Sequence, residues 1–123
     1  DGSIKTRQGS VVVKSPVTFY IADGSIIDTE GNHETELFWE SIESAKEKAI
    51  YKENVLKIAE IGIGINPNAR VIGPTIINEK AYGTAHFANG SNHWFGGPIK
   101  SRIHYDHVFK SPKIYADGKL IRY

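Results

Sequence analysis

The 123-residue chain has no cysteine and no methionine. Without cysteine there is no disulfide framework, no thiolate nucleophile and no thiolate metal ligand. A structural zinc site of the finger type is thereby excluded, and the composition fits a cytoplasmic protein. A chain that begins Asp1-Gly2-Ser3 without methionine is expected to be a fragment or a processed product. Long apolar runs are also missing: nothing approaches the roughly 18 residues of a membrane span, and no signal-peptide pattern appears. Neither sign of charge dominates, since 15 Lys and Arg face 14 Asp and Glu for a net +1. That balance offers no electrostatic footprint for nucleic acid. Internal repeats and low-complexity segments are absent.

The length suits one domain over residues 1–123. Alternating apolar residues bounded by Gly, Pro and Asp read as short strands. Residues 10–14 and 17–21 are two of them, separated by Pro16. Ala22-Asp23-Gly24 is a turn signal, so residues 17–28 read as a hairpin. The same Asp-Gly signal at 117–118 predicts a second hairpin over 113–121. One helix is expected over 33–50, with Asn32 as N-cap. Phe38, Ile42, Ala45 and Ala49 fall at i, i+4, i+7 and i+11, one apolar stripe. Its Glu residues lie early and its Lys residues late, as the helix dipole favours, and read as a solvated face. Trp39 belongs at the edge of the core. Further strands are expected over 55–61, ended by Gly62-Ile63-Gly64, over 84–88, and from His104 onward. A loop or short helix is expected over 74–81, and a Gly-rich loop over 89–98. The sum is an α+β fold: a mixed sheet of short strands and hairpins with one long amphipathic helix.

Three places put ionisable groups inside apolar strands. In Ser101-Arg-Ile-His-Tyr-Asp-His-Val-Phe109, strand alternation places His104, Asp106 and Val108 on one face and Tyr105, His107 and Phe109 on the other. The Cα atoms of His104 and Asp106 would lie roughly 6.6 Å apart, within common reach of one ion. An ordinary His–Asp hydrogen bond on a half-exposed strand is the alternative. Glu60, by the same alternation, shares a face with Leu56 and Ile58, where a carboxylate is costly unless paired or metal-bound. His86 lies in Gly83-Thr-Ala-His-Phe-Ala88; taken singly, a buried neutral imidazole bonded to a carbonyl explains it. Jointly, two imidazoles and two carboxylates on core strands make a first-row metal shell suited to zinc, cobalt, manganese or iron. His33 and His107 fall outside this set. His93, beside aromatics in the Gly-bounded loop, is either a substrate contact or a plain surface residue.

Glu60-Ile-Gly-Ile-Gly-Ile-Asn-Pro67, Asn78-Glu-Lys-Ala-Tyr-Gly-Thr-Ala-His86, Phe95-Gly-Gly97, the His104-x-Asp106 pair and Ile114-Tyr-Ala-Asp-Gly118 occur in this order. The run resembles the C-terminal part of the aminopeptidase T family, the thermophilic-type leucyl aminopeptidases. This resemblance implies a cytoplasmic, usually dimeric metallopeptidase with a two-metal site, acting on peptide N-termini. Glu60, His86, His104 and Asp106 match its metal ligands, while a further ligand Glu and an N-terminal domain would lie upstream. No residue clearly matches the family's proton-donating Tyr; His93 and Trp94 stand in that neighbourhood. The ring-cleaving dihydroxypyridine dioxygenases are similar in the same motifs. There the resemblance implies one Fe(II) held by His86, His104 and Asp106, and Asn92 with Gly96-Gly97 fits either group as a substrate-side loop. A metal-free, non-catalytic domain is the third possibility.

Overall fold

The structure, a computed structural model, describes residues 2–70 and 79–121. Five strands form the main sheet: β1 (Gly2–Thr6), β2 (Gly9–Val12), β5 (Ile58–Ile63), β6 (Thr84–Gly90) and β7 (His104–Lys110). Their order across the sheet is β2-β1-β7-β6-β5, with antiparallel pairing throughout. One isolated parallel bridge joins Asn66 to Ala81. Two hairpins stand apart from this sheet, β3 (Thr18–Ala22) with β4 (Ser25–Glu30), and β8 (Ile114–Ala116) with β9 (Lys119–Ile121). Both turn on an Asp-Gly pair with positive φ at each residue, 50° and 73° at Asp23-Gly24 and 49° and 75° at Asp117-Gly118. This is the geometry of two-residue hairpin loops, whose twist matches that of the strands.

The helix α1 (His33–Glu47) and the β3–β4 hairpin cover one face of the sheet. Phe38 and Ile42 are completely buried and join Ile4, Ile26, Val55 and Tyr105 in the core. Ala45 and Ala49 pack at its margin, as the stripe predicts. Phe19 of the hairpin meets Phe38 and Phe87 edge-to-face at 5.3 and 5.1 Å between ring centroids. Trp39 donates from Nε1 to the Thr29 hydroxyl at 2.8 Å, tying helix to hairpin. The α+β architecture therefore stands.

Several local expectations change. The helix ends at Glu47 rather than residue 50. Asn32 does not cap it through its side chain; the Asn32 carbonyl instead takes the Thr35 hydroxyl at 2.6 Å. Glu34 is not on a solvated face: it is buried and accepts the Lys14 backbone N–H at 3.2 Å. Residues 52–56 form a 3-10 turn before β5, and β5 runs on through Gly62. Strand β1 carries one core residue, Ile4, too weak a pattern for detection in sequence. The expected loop or helix over 74–81 lies largely outside the described residues.

Candidate metal centre on the open face of the sheet

Register decides which face each ionisable group takes. His86 pairs with Val108, Ala88 with Asp106, and Gly90 with His104, so His86, His104 and Asp106 share the face away from α1. Glu60 joins them through an irregularity in β5: Ile58 pairs with Asn89 but Glu60 with Ala88. Residue 59 is thus an extra residue in β5, a β-bulge. It keeps Ile58 against the core and turns Glu60 to the opposite face. The shared face of Glu60 with Ile58 expected from plain alternation is corrected by this bulge, which removes the cost of a carboxylate in the core.

The four side chains converge. Glu60 Oε1 lies 3.1 Å from His86 Nε2, and Glu60 Oε2 lies 3.2 Å from His104 Nε2. His104 Nε2 is also 3.2 Å from Asp106 Oδ1. Donor atoms of Glu60, His86 and Asp106 all fall within 4.8 Å of one another. Side-chain exposure rises from His86 (4%) through His104 (14%) and Asp106 (20%) to Glu60 (28%), so the cluster has a buried floor and a carboxylate at its mouth. Lys80, ion-paired to Glu79 at 2.7 Å, has its pKa raised first by that hydrogen bond and further by the charges of Glu79, Glu60 and Asp106.

Supporting residues fix the imidazoles. His104 Nδ1–H donates to the Ser91 carbonyl at 2.7 Å, which leaves Nε2 directed at the carboxylates. A ring nitrogen pinned to a carbonyl is the usual support of a metal-ligating His. The His86 ring lies over Gly62 on the neighbouring strand, where a Cβ would collide with the ring. Gly62 is therefore a seat for His86 rather than the strand breaker expected from sequence. His86 Nδ1 is buried with no hydrogen-bond partner among the described residues.

Burial alone would lower the His104 pKa, but hydrogen bonds to Asp106 and Ser91 and the charges of Asp106 and Glu60 outweigh it and hold it above the ordinary value. Burial would raise Asp106, and the hydrogen bond and charge of His104, with lesser help from His86 and His107, hold it low. A proton on His104 thus sits between carboxylates, where a divalent cation could take its place. Two imidazoles and two carboxylates without thiolate suit such a cation, so the residues present fit a divalent metal.

The other expected residues fall elsewhere. Asn92 spends its side chain tying its loop together and to β5, accepting Ile99 N–H at 3.0 Å and donating to Ala59 O at 3.3 Å. His93 is exposed and opens a 3-10 turn, His93–Phe95. His107 lies under the helix, 2% exposed, with ring centroids of Phe19 and Phe87 each 5.0 Å away. Its Nε2–H donates to Asn89 Oδ1 at 2.8 Å and its Nδ1 accepts Lys5 N–H at 3.2 Å. Ser91, Gly62 and Asn89 were missed in sequence because each acts across a strand pair whose register the sequence does not display.

An α+β domain with a His/carboxylate cluster on its open sheet face is the class that these observations define. A family model described as NicX: 2,5-dihydroxypyridine 5,6-dioxygenase matches residues 2–122, and the chain belongs to that family. No curated protein and no solved structure matches the chain. The family match overturns the expected leucyl aminopeptidase, and with it the hydrolase and protease reading and peptide hydrolysis. The cause is that Glu60, His86 and the His104-x-Asp106 pair form a His/carboxylate set, and such a set fits hydrolytic and oxidative metal chemistry alike. Among the described residues, no helix is long and apolar enough to cross a membrane.

Proposed function

We propose that this chain carries the iron site of a ring-cleaving dioxygenase that opens a dihydroxylated pyridine between adjacent ring carbons. The observation that carries the reading is the convergence of His86, His104 and Asp106 on one sheet face in a member of the NicX family. Two His and one carboxylate are the facial set that binds Fe(II) and leaves positions open for oxygen and substrate. The tighter triplet in space is Glu60, His86 and Asp106. We assign His104 rather than Glu60 to the metal because its Nδ1–H is pinned to Ser91 and its Nε2 is thereby aimed. When bound, Fe(II) supplies the activation of oxygen and a Lewis-acidic seat for a substrate hydroxyl.

The chain's own groups do the rest. His86 and His104 would hold the metal through Nε2, and Asp106 through its carboxylate. Glu60, the most exposed of the four, faces the incoming ring and takes the hydroxyl proton onto its carboxylate. Lys80, ion-paired to Glu79 and near enough to feel the charges of Glu60 and Asp106, adds positive potential to the site. A cytoplasmic setting belongs to this reading and is supported by the cysteine-free composition.

The test is anaerobic Fe(II) titration followed by admission of oxygen with 2,5-dihydroxypyridine, watching ring absorbance and oxygen uptake. One Fe(II) per chain and matched loss of ring and oxygen are expected. Glu60→Gln should keep Fe(II) but lose turnover and the pH dependence that a proton acceptor imposes. Two bound zinc or cobalt ions with no oxygen consumption would defeat the proposal.

A further inference from the structure

The loop between β6 and β7 spends two large aromatics on solvent. Trp94 is 59% and Phe95 64% exposed. Single exposed apolar residues are ordinary, but these two are held in place beside the metal centre. The Trp94 ring meets His104 edge-to-face with centroids 4.9 Å apart, and Phe95 stands 6.2 Å from the same imidazole. The loop beneath them is braced. Ser91 Oγ donates to Ile99 O and accepts the His93 N–H, each at 3.2 Å. The Asn92 side chain bridges Ile99 and Ala59. Gly97 packs so closely on Asn92 that a Cβ would collide with it, and Gly96 ends the turn at φ 88°. The residue that roots the loop, Ser91, also orients His104 through its carbonyl. Position of the aromatic pair and aim of the metal-facing imidazole are therefore set by one short segment.

We propose that Trp94 is the specificity-determining wall of the site, stacking its exposed indole face against the planar heteroaromatic ring of the substrate while that ring reaches Glu60 and the metal. The proposal rests on the dioxygenase reading above and extends it to the residue that selects a flat ring. Offset stacking on the indole favours a flat aromatic ring of the substrate's size. Even with His104 and Phe95 against it, Trp94 keeps more than half of its surface open to solvent.

The test uses the full chain loaded anaerobically with Zn(II), a redox-inert stand-in, and 2,5-dihydroxypyridine as probe. Trp39→Phe leaves Trp94 as the sole tryptophan, and saturable quenching of its emission by the probe is expected. Trp94→Ala should weaken probe binding roughly tenfold, the scale of one stacking contact, with Zn(II) affinity unchanged. Trp94→Phe should restore binding to within about threefold of wild type, since a smaller ring keeps the stacking geometry. With the Fe(II) enzyme the loss should appear in KM more than in kcat. Wild-type protein that cleaves the ring while Trp94→Ala binds it equally well overturns this proposal alone. So does a Trp94→Ala variant that loses metal instead of probe, which would make Trp94 only a shield for His104. Wild-type protein with no affinity for the probe overturns it together with the reading on which it rests.

Discussion

His104 and His107 sit three residues apart on one strand and live in opposite worlds. His107 is sealed between the sheet and α1, and burial pushes its pKa down to about 3. His104 looks out from the other face and is held above the ordinary value by the carboxylates beside it. The same side chain is a neutral core element in one place and a candidate ligand in the other. Strand alternation alone makes the assignment: an odd offset changes the face, and the face changes the solvent, the neighbours and the charge state. The covered face is stabilised by apolar burial, whereas the open face gathers groups that repel one another unless a proton or a cation joins them.

The comparison breaks most severely at the covered face. Phe38→Ala should cost about 3–5 kcal/mol, since it empties a completely buried site; urea midpoints will show it. What remains folded should still bind metal, because Phe38 touches the other side of the sheet. Next comes Gly62→Ala, which pushes the His86 ring from its seat. Metal affinity should fall roughly 10–100-fold, the range for loss of a ligand-orienting contact, in an anaerobic Fe(II) titration.

A pH series sharpens the contrast between the two histidines. For His107 the folded-state pKa lies below the unfolded value of about 6.5. The unfolded chain then binds the extra proton, so the stability from neutral His107 is complete above that value and is lost as pH falls toward about 3. The slope should approach ~1.4 kcal/mol per pH unit within that window and flatten in His107→Gln. His104 acts in the opposite sense in the metal-free protein. Its raised folded-state pKa stabilises the fold below the unfolded value, and that contribution is lost as pH rises through the raised pKa. Metal must displace the same proton, so apparent Fe(II) affinity should climb with pH until His104 is neutral. The smallest effect is expected at His33, whose exposed pair with Glu36 at 3.2 Å should be worth under about 0.5 kcal/mol in a His33→Ala denaturation curve.

The parts of this fold legible in sequence were those governed by local chemistry. Asp23-Gly24 and Asp117-Gly118 announce their hairpins because few other pairs tolerate two positive φ values. Phe38 and Ile42 announce the buried helix face through their spacing. The residues His86, His104 and Asp106 could be singled out because charge inside an apolar strand is costly. What sequence hid was non-local. The bulge at residue 59, which turns Glu60 around, depends on pairing with β6. Gly62 gained its meaning only from the ring lying over it. Glu34 followed a helical charge pattern outward, yet the chain near Lys14 folds over it. Reaction class was hidden for another reason: ligand residues state which ion can bind, and the reaction depends on what else reaches that ion.

The central claim is that the open face, not the covered one, is the metal site, and one measurement addresses it directly. Anaerobic Fe(II) titration of wild type, His104→Ala and His107→Gln, with folding of each verified by circular dichroism, separates two histidines on one strand. Wild type and His107→Gln should bind one Fe(II) with closely similar affinity, and His104→Ala should lose it. Loss of metal in folded His107→Gln with retention in His104→Ala would contradict the assignment of faces and, with it, the whole site.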